Sequence, residues 1–277
     1  MSDEDARGTG PRDRAGDDAP EPDALAATAE AAVRTAGKYL AERFRDGGTV
    51  GDYGTDDVKA EADEAAERLI FDRIRADFPD HALRGEESGR PGDGPVEWIV
   101  DPLDGTNNYA VDYPSIATAA AARVGDDTLV AAIHEPLVDD CYVAVRGDGA
   151  RLNGDPLTAA PRDRPLDRST VSLIVGLPAV RDADRRAEAD RIRAALRDRC
   201  KRVLETWSPC VDWGLLARGS VAGVVCAYPD PFEQEAGELL AAEAGAVSAA
   251  GGRYYVGAAD EATLAALVKT LPDGTVG

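Results

Sequence analysis

A strongly apolar run ends in two carboxylates in the segment Trp98–Tyr109, which reads WIVDPLDGTNNY. The apolar residues before Asp101 predict a buried strand at 96–100. Asp104 follows Asp101 by three residues, so both acids can converge on one point. Hard divalent cations prefer oxygen ligands, and two carboxylates with the backbone carbonyl of Leu103 suit a Mg²⁺ ion that keeps several waters. The sequence therefore predicts a metal site at the end of this strand.

The residues around these two acids are suited to binding a phosphate. Gly105 removes the side chain where a phosphate would approach, which leaves the N–H groups of Gly105 and Thr106 as donors. Fifteen residues before Asp101, the segment RGEESG holds another carboxylate, Glu86, beside a glycine. Alone, the first segment is typical of a turn and the second of a solvated loop. Only their combination points to a site.

The charge composition excludes some classes of partner. The chain of 277 residues has 52 acidic and 31 basic residues, a net charge of −21. We expect it to bind neither nucleic acid nor anionic membrane surfaces, because a chain this acidic repels phosphate groups. Only four of the basic residues are Lys, and together with the acidic surplus this indicates adaptation to concentrated salt. The chain also has no long apolar segment and no C-x-x-C pair among its four cysteines, so we expect a cytoplasmic protein.

The chain divides into three parts that differ in composition and in the pattern of their apolar residues. Residues 1–22 are rich in Pro, Gly and Asp, and predict a disordered acidic tail. Residues 23–160 show two amphipathic helices, the first with Asp23 as its N-cap, and then short β-like runs, which predict an α+β half. Residues 161–277 alternate strand and helix patterns, which is typical of an α/β half.

The two acidic segments together resemble the inositol monophosphatase superfamily of Mg²⁺-dependent, lithium-sensitive phosphatases. Its first signature, W-x-x-D-P-[IL]-D-G-T-x-N-[FY] preceded by G-E-E-S, is filled at every position. Its second, W-D-x-x-A-G followed by E-A-G, aligns with FEQEAG at 232–237 and EAG at 243–245, and its G-A-x-x-N-G hairpin aligns with 149–154. The resemblance covers residues 24–268.

The resemblance implies a fold, a reaction and a set of site residues. The fold would be a five-layer α/β/α/β/α sandwich. Members of the family usually form homodimers, so the resemblance also implies a homodimer. The reaction would be hydrolysis of a small-molecule phosphate ester by metal-activated water, with two or three Mg²⁺ ions as cofactor. The implied metal ligands are Glu86, Asp101, Leu103, Asp104 and Glu233, the substrate contacts are Asp104, Gly105, Thr106 and Glu233, and the catalytic residues are Thr106, Glu86 and Asp63.

Two departures from the family pattern leave alternatives open. Glu233 stands where the second signature has an Asp, and Asp230 three residues earlier could take its place as ligand. Trp207 and Pro209 stand where the family has a small segment against the substrate ring. The leading hypothesis is a phosphatase of a small sugar or polyol phosphate such as inositol 1-phosphate, with fructose-1,6-bisphosphatase as its close variant. A non-catalytic binding relative is the alternative of another class.

The acidic surplus predicts that salt stabilises the fold. The Debye length is about 3 Å at molar ionic strength and about 10 Å near 0.1 M, so surface carboxylates repel one another when salt is removed. We expect the melting temperature to fall as KCl is diluted, which differential scanning calorimetry measures. A melting temperature independent of KCl would contradict the salt-adapted interpretation.

Overall fold

The computed structural model describes residues 21–47, 51–53, 58–89, 92–160 and 164–272, with the side chains of 51–53 and 58–60 left out. The predicted acidic tail lies outside this range except for Glu21 and Pro22. Within it, the helices are α1 (Pro22–Arg45), α2 (Glu61–Asp77), α3 (Thr106–Ala110), α4 (Leu177–Val180), α5 (Ala183–Arg197), α6 (Pro209–Ala217), α7 (Pro231–Glu243) and α8 (Glu261–Val268).

The start of α1 differs from the sequence prediction. Glu21 is the N-cap and Pro22 the first helical residue, whereas Asp23 lies inside the first turn. Proline is favoured at that position because its missing N–H would have no intrahelical partner there, and its fixed φ suits the helix. Asp23 still stabilises the helix end, because a negative charge in the first turn interacts favourably with the helix dipole.

The described strands form a hairpin and two larger sheets. The hairpin pairs β1 (Gly51–Tyr53) with β2 (Val58–Ala60). The seven-stranded sheet has the order β3 to β9, and its strands are β3 (Ala82–Gly85), β4 (Glu97–Asp104), β5 (Ala117–Val124), β6 (Asp127–Glu135), β7 (Asp140–Val145), β8 (Gly149–Leu152) and β9 (Asp155–Leu157). In the five-stranded sheet the order is β11-β10-β12-β14-β13, and its strands are β10 (Thr170–Val175), β11 (Arg202–Leu204), β12 (Gly223–Ala227), β13 (Val247–Gly251) and β14 (Tyr254–Ala258).

The elements stack in the five layers that the family resemblance implies. Helices α1 and α2 cover one face of the seven-stranded sheet, and α6 and α7 fill the space between the two sheets. Helices α5 and α8 cover the outer face of the five-stranded sheet. Along β5, alternate residues serve different cores, since Ala120 packs toward α1 and α2 while Ala119 and Ala121 pack toward α6 and α7.

The pairing direction of the strands decides where side chains can converge. Strands β3 and β4 are parallel, so their carboxyl ends meet at one edge of the seven-stranded sheet. Strands β10, β11 and β12 are also mutually parallel, so their carboxyl ends lie at the same end of the five-stranded sheet. Crevices at the carboxyl ends of parallel strands are common ligand sites in α/β proteins.

No helix of the described residues has both the length and the apolar character that crossing a bilayer requires.

Close contact between α6 and α7 predicts a sensitive position in the middle layer. A Cβ on Gly237 would lie 2.2 Å from the buried indole of Trp213. We expect Gly237→Ala to lower the free energy of unfolding by about 1–3 kcal/mol, measured by chemical denaturation, although alanine favours helix in isolation. Adding Trp213→Leu should make the double variant less destabilised than the two single effects combined. A stabilised Gly237→Ala variant would contradict this packing.

Candidate metal and phosphate site

The strand β4 delivers both acids of the central motif to one place. The predicted strand at 96–100 ends too early, because β4 continues through Asp104. Its register against β5 shifts between Asp101 and Asp104, which marks a β-bulge. In a regular strand, residues three apart point to opposite faces, but here both carboxylates and the Sγ of Cys210 lie within 4.8 Å of one another. Asp101 and Asp104 are almost completely buried.

Gly105 makes the turn from β4 into α3. Its φ of 88° lies in the left-handed region, and a Cβ there would lie 2.8 Å from the carbonyl oxygen of Ser115. Only glycine fits both conditions. The following Thr106 places its hydroxyl 3.0 Å from the carbonyl oxygen of Leu103 and 3.5 Å from Oδ1 of Asp63. Asp63 itself is buried in the first turn of α2.

Glu86 follows directly after β3 and lines the same cleft as Asp101 and Asp104. Its N–H donates to the carbonyl oxygen of Val100, which ties it to β4. The buried carboxylate of Glu67 accepts the next two N–H groups of the loop, from Glu87 at 3.0 Å and Ser88 at 3.5 Å. The sequence prediction missed Glu67, although its place one helical turn after Asp63 could have indicated it.

The first turn of α7 contributes two further acids to the cleft. Asp230 is the N-cap of α7 and accepts the N–H of Phe232 at 3.1 Å. Glu233 lies inside the first turn, and its charge contributes to raising the pKa of Asp101. Both residues line the cleft, although neither belongs to the tight group of Asp101, Asp104 and Cys210.

The start of α6 holds Asp104 in place. Oδ2 of Asp104 accepts the hydroxyl of Ser208 at 2.6 Å and the N–H of Cys210 at 2.7 Å. These residues lie in the segment Thr206–Cys210, where the sequence departs from the family pattern, but that departure did not reveal them as partners of Asp104. Burial, reinforced by the charge of Asp104, raises the pKa of the Cys210 thiol well above its usual range, so it remains a neutral thiol.

The carboxylates of the cleft perturb one another strongly. Burial, followed by the charge of Glu86, raises the pKa of Asp101, and burial raises that of Asp104 to about 7 despite its hydrogen bonds. Loss of solvation against the cleft walls, followed by the charge of Asp230, raises the pKa of Glu86 to about 8. Glu86 is nevertheless exposed, so solvent screens part of this effect. Burial, followed by Asp104, also raises the pKa of Glu233.

These donors fit a hard divalent cation. Among the described side chains, no Lys or Arg forms an ion pair with Glu86, Asp101, Asp104 or Glu233. Buried carboxylates without a cationic partner are costly, and a bound cation removes that cost. The oxygen-rich donor set, with its thiol neutral, favours Mg²⁺ over softer metals.

The sequence model of the inositol monophosphatase family matches residues 21–270. The chain belongs to the inositol monophosphatase family. Among curated relatives, Nus factor SuhB of Escherichia coli strain K12 is 33% identical over 231 residues, which cover 81% of this chain and 85% of that protein. Nus factor SuhB of Vibrio cholerae is 30% identical over 231 residues, which again cover 81% of this chain and 85% of that protein.

Solved structures of the inositol monophosphatase family share the layered fold. SuhB from Mycobacterium tuberculosis is 26% identical with a TM-score of 0.75, covering 91% of this chain and 98% of that one. Inositol monophosphatase from Anabaena is 23% identical with a TM-score of 0.76, covering 90% of this chain and 97% of that one. The names of these proteins differ, so membership in the family leaves the substrate open.

One buried acid beside the site is not part of the family signatures. Asp212 lies in α6, is 1% exposed and lines the cleft. Its Oδ2 is bonded to the hydroxyl of Thr206 at 2.7 Å, whereas its Oδ1 has no partner within the described residues. Burial raises the pKa of Asp212 to about 8, outweighing the hydrogen bond from Thr206. The sequence does not single out Asp212, because the segment around it predicts only a helix.

Removing this carboxyl should change how stability depends on pH. Because the pKa of Asp212 is raised in the folded state, the folded protein holds a proton that the unfolded chain releases near pH 4, and wild-type stability falls as pH rises from there through about 8. We expect the stability gain of metal-free Asp212→Asn over wild type to be about 2–4 kcal/mol larger near pH 9 than near pH 5, because each pH unit below the folded pKa accounts for about 1.4 kcal/mol. Urea unfolding at both pH values measures this.

The matched control is Asp198→Asn, which removes an exposed carboxyl at the end of α5. It should show no such pH-dependent gain. Equal gains for both variants would mean that the total charge, rather than the burial of Asp212, sets the slope.

Proposed function

We propose that this chain is a Mg²⁺-dependent phosphomonoesterase of small sugar or polyol phosphates, with inositol 1-phosphate as the type of substrate. The observation that carries the proposal is the convergence of Asp101 and Asp104 within 4.8 Å of Cys210 in a cleft that Glu86 and Glu233 also line. Their raised pKa values indicate a site that is short of positive charge. Functional sites are where such shifts cluster.

The residues divide between holding metal and handling the phosphate. Glu86, Asp101, Asp104, Glu233 and the Leu103 carbonyl would hold Mg²⁺. Bound Mg²⁺ supplies Lewis-acid stabilisation of the phosphoryl oxygens and of the attacking water. At the start of α3, the first N–H groups have no intrahelical partner and would donate to the phosphate.

Thr106 and Asp63 are suited to moving the proton of the attacking water. The Thr106 hydroxyl lies between the Leu103 carbonyl and the Asp63 carboxylate, at 3.0 and 3.5 Å. Thr106 would orient the water, and the proton would pass to Asp63. Apo hydrogen bonds of this length commonly shorten when substrate binds. Thr106→Ala should therefore lower kcat more than it raises KM.

The far wall of the cleft supports a close variant of this function. The cleft has a volume of about 400 Å³ and extends past Trp207 to Arg186 of α5. Arg186 donates to the carbonyl oxygen of Val180 and forms no ion pair with a described carboxylate, so its charge is available to a ligand. A second anionic group on the substrate would suit this cation, and this observation favours a sugar bisphosphate such as fructose 1,6-bisphosphate as the second candidate.

Trp207 would contact the substrate at the rim. It is 55% exposed and has a φ of 57°, a region that large side chains rarely adopt. Asn108 donates to the carbonyl oxygen of Thr206, and the N–H of Ser208 donates to the hydroxyl of Thr206, which holds the strained segment. Strain that the surroundings enforce is typical of ligand contacts.

The test is phosphate release from inositol 1-phosphate, fructose 1,6-bisphosphate and a nucleotide phosphate, with Mg²⁺ and with EDTA. We expect Mg²⁺-dependent release from one of the first two. Asp104→Asn should lower kcat/KM by about 100-fold or more, because it removes a metal carboxylate. The matched control is Glu261→Gln, which removes an exposed carboxylate of α8 and should retain wild-type activity. No release from any of these esters would favour a binding relative.

The same assay assigns the second metal ligand. If Glu233 is the ligand, Glu233→Gln should lose about as much activity as Asp104→Asn, Glu233→Asp should retain it, and Asp230→Asn should lose less. Activity that survives in Glu233→Gln but disappears in Asp230→Asn would instead assign the role to Asp230.

A further inference from the structure

A second cleft lies at the end of the five-stranded sheet where its parallel strands begin, and the site described above lies at the end where they finish. It has a volume of about 260 Å³ and lies where β10 begins at Thr170 and β11 at Arg202. The first cleft is instead lined by Val175, at the carboxyl end of β10. Thr170 of the second cleft and Leu173, the first residue of β10 to line the first cleft, are three residue steps, or about 10 Å, apart along the strand.

The second cleft is positively charged in a chain that is strongly negative. Its lining includes four cationic side chains and one carboxylate, and these are Arg164, Arg168, Lys201, Arg202 and Asp260. The carboxylate of Asp260 is bonded to the N–H and the hydroxyl of Thr263 at 2.8 and 3.0 Å. A net positive cavity is unexpected on a protein of net charge −21.

The four cationic groups have no acidic partner within the part of the chain that the structure describes. Other Arg residues of this protein do pair with carboxylates, such as Arg123 with Glu97 at 2.7 Å. All four are exposed, and the hydroxyls of Thr170 and Ser220 beside them form no hydrogen bond with described residues. The cleft therefore presents donors without acceptors.

We propose that this second cleft binds a small, multiply phosphorylated molecule. Guanidinium groups bind phosphate oxygens in bidentate geometry, and several phosphates are needed to match four cations. The small volume of the cleft and the net charge of −21 disfavour a long polyanion such as nucleic acid, whose remaining phosphates the protein would repel. This binding does not depend on the phosphatase activity.

The probe is sodium tripolyphosphate, titrated calorimetrically into the metal-free full chain in EDTA. EDTA removes any metal that could hold phosphate in the first cleft, so the heat reports the second cleft. We expect saturable binding of one molecule, and weaker binding of citrate, which has a similar charge but no phosphate. Hydrogen exchange should slow at residues 164–170 and 219–222 when tripolyphosphate is bound.

Variants locate the binding. Arg168→Gln/Arg202→Gln should weaken tripolyphosphate binding by more than about tenfold, because each removes a charged donor. Ser220→Asp should weaken it similarly by placing a negative charge in the cleft. Arg191→Gln/Arg197→Gln removes the same charge from exposed positions of α5 that line neither cleft, and should stay within about twofold of wild type.

Several results would overturn the proposal. They are the absence of saturable binding to the wild-type chain, equal binding of citrate, unchanged affinity in both cleft variants, and an equal loss in the α5 control pair. The last result would mean that overall charge, rather than this cleft, attracts the anion.

Discussion

The mutual repulsion of buried carboxylates is the constraint around which this fold is organised. Asp101 and Asp104 are almost fully enclosed, and the charges of Glu86 and Glu233 act on Asp101. Without a counterion, such a cluster keeps protons that isolated carboxyls would lose, because burial disfavours the charged form. The surrounding layers must hold these groups together against their repulsion. A bound cation reverses the balance, since the same crowding then becomes a set of ligands.

Four of the five layers restrain this cluster. The seven-stranded sheet sets the position of Asp101 and Asp104 through the bulge in β4, and α2 fixes the Glu86 loop through Glu67. The middle layer donates two hydrogen bonds to Asp104 from the start of α6. The five-stranded sheet positions the end of β12, from which the chain reaches Glu233. Residues held by several elements lose little entropy when a ligand binds, which favours preorganised chemistry.

The sequence was informative where local pattern and chemistry coincide. The apolar run before Asp101 and the spacing to Asp104 predicted both a strand and a metal site, and the fold class follows from the family resemblance that these motifs carry. The end of the strand was misjudged because Pro and Gly around Asp104 are typical of a turn, whereas pairing with β5 extends the strand. Ser208 and Glu67 were missed because their hydrogen bonds link residues distant in sequence, and no local pattern records such contacts.

The hydrogen bonds to Asp104 also determine when the site can form during synthesis. Their donors follow Asp104 by 104 and 106 residues, so β4 leaves the ribosome long before α6 exists. Until then, the inner face of the seven-stranded sheet lacks the two helices that cover it, and its alanine-rich strands stay open to water. A nascent chain halted before α6 would thus expose both the acids and a broad apolar surface. The two halves therefore complete their folding together, after the C-terminal half has been made.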